Sequence, residues 1–395
     1  MKRASSSGVI ADAIASWLAE QALTDTDAVA LFEQLCQRLF SSGIPIMRAN
    51  VTYNVLHPLY SASALSWTAA GVAVEHFSHA GTPGASAAFL RSPFNYVLSH
   101  DLPLLRRRLS GPEALIDFPV LEDLRQKGGH DYLLLRVSFG AAQGLRGILC
   151  SWLCQRKSGF TDTEIAILQR LTNRLAGALK ARLERGIAHS LANTYLGGRA
   201  GDAVLSGAIH RGDGEKLDAA LWYSDLRRSS TIADEQPVEV FLDLLNSYFD
   251  MTAGSIRAHG GEVVSFIGDA VLGFFRADDN PADACTRAAA AARDSRAKLA
   301  AFTPAPGIGS VDFGIGLHFG EVIYGNVGVA DRLAFTLIGG AVNETARLED
   351  LTKTLGHPVI ASANFTRLLP TAWPPLGPQR LRGIGASVEV FAGPE

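Results

Sequence analysis

Apolar residues recur every three or four positions between Ala11 and Phe40, at Ile14, Trp17, Leu18, Leu31, Leu35 and Leu39, and this spacing predicts helix. Alternating runs at Tyr132–Val137 and Leu145–Leu153 predict strands, with a Gly/Pro/Ser-rich loop at Gly81–Ser86. A capping box follows: Thr161 is placed to accept a backbone amide and Glu164 to reach back to its start. Ile165, Leu168, Leu171, Leu175, Ala178, Leu179 and Leu183 then continue at helical spacing over 162–190, a stripe that could pack on its own domain or on the same helix of a second chain. Gly197-Gly198 ends the helix, and the polar, glycine-rich stretch to Lys216 reads as a linker.

Beyond the linker, strands and helices alternate. A strand at Asp218–Tyr223 precedes a helix from Val238 to His259, whose apolar face holds Phe241, Leu245, Phe249 and Ile256 and which Gly260-Gly261 stops. Val263–Ile267 and Ala270–Phe275 form a hairpin with Gly268-Asp269 at its turn. An alanine-rich helix at Ala282–Phe302, strands at Val311–Phe319, Val322–Val327 and Leu333–Ile338, and a helix from Ala341 to Leu355 complete the pattern. The fold class is α+β, and this half is expected to be a mostly antiparallel sheet with helices on one face. The domains expected are 1–160, a connecting helix and linker at 161–216, and 217–395.

Composition narrows the class. The chain has 395 residues, 47% hydrophobic and 19% charged, which suits two globular domains. A net charge of −3 gives no basic field for nucleic acid or acidic lipid. The run Arg106-Arg107-Arg108 reads as a solvated helix face. No apolar stretch is long enough to span a membrane, and no secretory leader is expected, so the location expected is cytoplasmic. Four cysteines (Cys36, Cys150, Cys154, Cys285) make no disulfide framework, and small buried hydrophobes explain them. His57, His76, His79, His100 and His130 lack the spacing of a metal site.

The candidate chemistry lies in two aspartates, Asp225 in LWYSDLRRSST and Asp269 in SFIGDAVLGFF. Each sits where a predicted strand ends or turns. Carboxylates carried to one sheet edge can hold two divalent cations, which together activate a hydroxyl and stabilise a leaving phosphate. Either aspartate alone could merely cap a turn. There is no GxxxxGK[ST] segment, which excludes a P-loop nucleotide hydrolase.

YSDLRRSST, GGEVVSFIGDAVLGFF, LHFGEVIYGNVG, FTLIGGAVNETARLE and LRGIGASVEVF occur in the order and spacing of class III nucleotide cyclases, and residues 217–392 resemble that family throughout. The resemblance implies a ferredoxin-like catalytic domain in which a ribose 3′-hydroxyl attacks its own α-phosphate and expels pyrophosphate. It implies that Asp225, Asp269 and the carbonyl of Leu226 hold two Mg²⁺ or Mn²⁺ ions. The backbone of Arg227, Arg228, Ser229 and Ser230 would cradle phosphate, Asn343 would orient the ribose and Arg347 would stabilise the transition state. Arg382 would take the place of a triphosphate-binding Lys, keeping charge but changing geometry. Ser265 and Thr336 stand at the base-selecting positions. Thr336 suits adenine, whereas Ser265 supplies neither the Lys usual for ATP nor the Glu usual for GTP. Arg228 and Ser229 depart from a common Gly-Phe, and Gly340 from a common Asp.

Metals and ribose-side residues come from different subunits in this family, which implies a homodimer acting on a nucleoside triphosphate, with ATP favoured. A guanylate cyclase and a silent nucleotide-binding module are the alternatives. FTDTEIAILQRLTNRLAGAL and the order of the first domain resemble a GAF-like sensor, implying an α/β regulatory domain with a small-molecule ligand.

Overall fold

The computed structural model describes residues 6–24, 26–57, 59–78, 85–140, 147–383 and 387–394. The chain divides into two compact units, Met1–Leu191 and Ala192–Glu395. Among the described residues no helix is long and apolar enough to cross a membrane.

The first unit runs α1 (Ser6–Gln21), α2 (Ala28–Ser41), β1 (Ile46–Asn54), β2 (Tyr60–Thr68), β3 (Gly71–Ser78), α3 (Ala85–Leu90), α4 (Pro93–Ser99), β4 (Leu104–Arg108), α5 (Pro119–Gln126), β5 (Asp131–Ser138), β6 (Gly147–Cys154) and most of α6 (Asp162–Leu196). Six strands form an antiparallel sheet in the order β3-β2-β1-β6-β5-β4. β6 is buried at every position. Its Ile148, Cys150, Trp152 and Cys154 enter a core with α1, α2 and α6, while Leu149 and Leu153 enter a second core with α4 and α5. Helices on both faces explain why GILCSWLC is apolar at every position but Ser151. All four cysteines are free and buried, as expected from the sequence. Burial pushes the Cys285 thiol up to about 12, so it packs rather than reacts.

The capping box forms: the Glu164 amide donates to Thr161 Oγ1 at 3.3 Å and the Thr161 amide to Glu164 Oε2 at 2.8 Å. The arginine run departs from expectation. It lies on β4, not on a helix, and each side chain is engaged: Arg106 with Asp131, Arg107 with Asp117, and Arg108 with the Ser158 and Lys157 carbonyls. Most of the expected loop at 81–86, and His79, lie outside the described residues.

The second unit holds the end of α6, then α7 (Gly198–Leu205), β7 (Gly214–Leu226), α8 (Ser229–Glu235), α9 (Val238–Ala258), β8 (Glu262–Ile267), β9 (Ala270–Arg276), α10 (Pro281–Ala301), β10 (Phe313–Val329), β11 (Arg332–Ile338), α11 (Gly340–Leu355), β12 (Val359–Ser362), α12 (Ala363–Thr366), β13 (Pro375–Arg380) and β14 (Ser387–Ala392). The sheet order is β13-β14-β12-β10-β7-β9-β8, with β11 paired to the far half of β10. Only β10 and β12 pair in parallel among the described strands of this sheet, so it is mostly antiparallel, as expected.

Three details differ from the sequence reading. The two strands expected at 311–327 are one continuous β10, because β7 pairs with it without a break from Phe313↔Leu226 to Gly325↔Gly214. The stretch read as linker contains α7, whose Ala200 is fully buried against Leu217, Ala219, Leu221 and Phe274. Helices also cover both faces rather than one. Trp222, Phe275, Phe313, Ile315 and Leu317 share a core with α9 and α10, while α11 lies on the opposite face. Gly314 and Gly316 make that approach possible. A Cβ at Gly316 would lie 2.3 Å from the Thr345 carbonyl oxygen, and one at Gly314 2.4 Å from Glu349 Oε1.

Candidate active site

β7 carries Asp225 on its second-to-last residue. The strand is pinned to α9 through Ser224, whose hydroxyl lies 3.0 Å from the Tyr248 hydroxyl and accepts from Trp222 Nε1 at 3.1 Å. Asp269 sits in the two-residue β8–β9 turn, where Gly268 takes φ +62°. Because Asp225 pairs in register with Ala270, the turn sets Asp269 beside it. The two carboxylates are near enough for the Asp269 charge to act on Asp225. Burial, and then the Asp269 charge, hold the Asp225 carboxyl above its ordinary value despite a Lys353 contact that pulls it down.

The third carboxylate here was not anticipated. Glu349 on α11 is 1% exposed, and burial, with the charges of Asp225 and Asp350, pushes it up to about 7 against Lys353 and Arg227. Lys353 Nζ lies 2.8 Å from Asp225 Oδ2 and 3.8 Å from Glu349 Oε2. Burial lowers the Lys353 ammonium, but its bonds to Asp225 and Glu349 outweigh this and raise it overall. Arg227 turns inward, with Nη1 3.6 Å from Glu349 and Nη2 donating to Thr352 Oγ1. Its amide is occupied by the Asp312 carbonyl at 2.8 Å, so any phosphate cradle here rests on Arg228, Ser229 and Ser230. The signal for this cluster was the i, i+4 pair Glu349/Lys353 on one helix face.

Arg228 has φ +59°, a left-handed backbone that costs a non-glycine residue about 1 kcal/mol. That accounts physically for the Gly common at this position in the resembling family. Leu226 is buried at the strand end. Asn343 and Arg347 are exposed on α11, and Arg347 Nη1 is 3.0 Å from Asp350 Oδ2. Among the described residues no hydrogen bond or ion pair joins either of them to Asp225 or Asp269, although α11 does reach Asp225 through Lys353. Ser265 on β8 and Thr336 on β11 are both half-buried, and no hydrogen bond links them among the described residues. Arg382 is exposed in the turn after β13, and residues 384–386 of its motif lie outside the described residues.

Among the described residues no group of three or more His, Cys, Asp or Glu is placed to hold a metal ion. The donor set nonetheless fits a hard divalent cation. Two opposed carboxylates beside a strand-end carbonyl are oxygen ligands, and Mg²⁺ commonly takes one or two carboxylates and completes its shell with water and substrate phosphate.

Residues 215–369 match the family model for the adenylate and guanylate cyclase catalytic domain. The chain is 33% identical over 208 residues to the uncharacterized protein Rv1319c of Mycobacterium tuberculosis, a match covering 52% of this chain and 37% of that protein. It thus spans little more than a third of the length of that curated relative. A bacterial light-regulated adenylyl cyclase has a similar structure over 63% of this chain and 83% of its own, at 22% identity and TM-score 0.48. The guanylyl cyclase Cya2 is similar over 46% and 95%, at 25% identity and TM-score 0.39. The family-model match places an adenylate and guanylate cyclase catalytic domain at residues 215–369.

Proposed function

We propose that the protein converts a nucleoside triphosphate, ATP in preference to GTP, into its 3′,5′-cyclic monophosphate and pyrophosphate. The observation that carries this reading is that Asp225 pairs with Ala270 at the end of β7, which brings Asp269 of the adjoining turn to the same end of the sheet, inside a cyclase catalytic domain. Asp225, Asp269 and the Leu226 carbonyl would hold two divalent ions. When bound, such ions lower the pKa of the attacking hydroxyl and neutralise charge on the triphosphate. Arg228, Ser229 and Ser230 offer backbone amides at the start of α8, where helical partners are lacking. Arg347 supplies a fixed positive charge for the α-phosphate, and Asn343 a side-chain amide for the ribose. Thr336 can accept from the adenine amino group, and Ser265 is too short and neutral to select strongly.

Each site is completed by a second copy of the chain. In support, Asn343 and Arg347 point outward and make no bond to their own aspartates among the described residues. Leu242, Phe266, Ile267, Ile323 and Ile338 are large apolar side chains left exposed on the same unit. The first unit serves as a GAF-like sensor. A cavity of about 740 Å³ there, bordered by Tyr53, Tyr60, Ser63, His76, Leu183 and Ile187, is large enough for a small organic ligand.

Purified full chain with Mn²⁺ or Mg²⁺ should release pyrophosphate and a cyclic nucleotide, faster from ATP than from GTP. Asp225→Ala and Arg347→Ala should each abolish turnover, and mixing the two variants should restore part of it. No product from either triphosphate overturns the reading. Faster turnover of GTP reverses its substrate, and failure of the mixed variants to recover removes the shared site.

A further inference from the structure

The ammonium of Lys353 makes its shortest contact, 2.8 Å, with Oδ2 of Asp225, the carboxylate already assigned to a divalent ion. It reaches there from α11, the helix that also carries Asn343 and Arg347. Its second contact, at 3.8 Å, is the buried carboxylate of Glu349, which Arg227 flanks at 3.6 Å. The cluster thus has three carboxylates (Asp225, Asp269, Glu349) and two cationic side chains (Lys353, Arg227). The cations differ in freedom. Arg227 is tied to Thr352 and Glu349 with 18% of its side chain exposed, whereas Lys353 is 47% exposed. A lysine is a point charge on a flexible four-carbon stem, able to leave one carboxylate for another without rebuilding a planar fork of hydrogen bonds.

We propose that Lys353 is a built-in counter-cation of the metal site: it competes with the divalent ion for Asp225 and sets how much free ion the site needs. The proposal rests on the reading of Asp225 as an ion ligand. An ion arriving at Asp225 must displace the ammonium or sit beside it, and both cases weaken binding through lost attraction or like-charge repulsion. Glu349 gives the displaced ammonium a second partner one helical turn away, so α11 need not move. A triphosphate, bringing several negative charges, offsets the repulsion and makes tight ion binding depend on nucleotide.

Mn²⁺ alone, titrated into full-length protein and followed by the electron paramagnetic resonance signal of the free ion, tests this without turnover. Lys353→Met should tighten Mn²⁺ binding roughly two- to fivefold, the range that a half-exposed ion pair allows. Lys353→Arg, which keeps the charge, should bind Mn²⁺ no more tightly than the natural chain does. Asp225→Asn should lose the site. Unchanged or weaker binding by Lys353→Met in a normally melting protein overturns the proposal while leaving the metal reading intact. The same holds if Lys353→Arg tightens as much as Lys353→Met. Equal Mn²⁺ binding by Asp225→Asn and the natural chain instead removes the metal reading, and the proposal with it.

Discussion

Buried or half-buried carboxylates anchor both units, and the two units treat them in opposite ways. In the first, Asp131 is fully buried and fully answered. Arg106 grips it with Nε and with Nη2 at 2.7 Å, Arg108 lies 3.7 Å away, and the Phe160 amide donates to it at 2.9 Å. In the second, Asp225 sits within the field of Asp269 and Glu349, with the half-exposed Lys353 as its bonded cation at 2.8 Å. A carboxylate serving the fold is closed off by fixed donors. On the proposed reading, a carboxylate serving chemistry is left with charge that a proton or an arriving cation can use.

The largest expected effect breaks the first half of that comparison. Asp131→Ala leaves two arginines facing a void and releases the Phe160 amide at the entry to α6. Removing one member of a buried ion pair costs about 3–5 kcal/mol, and the partial exposure of Arg106 and Arg108 sets this case towards the lower figure. Hydrogen exchange on the full chain should show the amides of β4 and β5 losing protection while β7 and β10 keep theirs. Uniform exchange, or no change, would mean that the Arg106–Asp131 contact contributes little to the first unit.

A second effect, of about 2–3 kcal/mol, concerns His318 in the second unit. Burial pushes its imidazole down to about 4, although Glu344 Oε1 lies 3.3 Å away and would favour the charged form. The side chain is 4% exposed, so burial prevails and the ring is neutral, bonded to the Ser362 hydroxyl at 2.8 Å. An unfolded histidine takes up its proton near pH 6.5, well before the folded one does. Stability is therefore complete above pH 6.5 and falls as the pH drops from 6.5 towards 4. Denaturant midpoints measured across that window should slope for the natural chain and flatten for His318→Gln. An equal slope in both would assign the pH dependence to other groups.

How far this arrangement could be read from sequence depends on what each signal encodes. The β8–β9 hairpin was legible because Gly-Asp between two apolar runs specifies a tight turn, and that turn places Asp269. The α6 capping box was legible because both of its bonds lie within four residues. Arg106-Arg107-Arg108 was misread because three identical residues hide a period of two. Helices on both faces were missed although FGIGLH carried the sign: glycines at alternate strand positions leave room for a helix to press on that face. Lys353 was missed for a different reason. Its partner Asp225 lies 128 residues away in sequence, and no local pattern specifies a pairing across that distance.

The smallest expected change in stability belongs to Asp225→Asn, and it tests the second half of the comparison. The substitution loses the Lys353 ion pair but also relieves repulsion from Asp269 and Glu349. Lys353 is half-exposed, so water and Glu349 can satisfy it, and the pair itself contributes little in such a setting. Loss and relief should nearly cancel, leaving the second unit within about 1 kcal/mol of its natural stability while turnover disappears. Calorimetry on the full chain, read against Asp131→Ala, measures the contrast directly. If Asp225→Asn destabilised as much as Asp131→Ala, the strand-end carboxylate would be a structural anchor as well, and its charge would already be spent before any ion or nucleotide arrived.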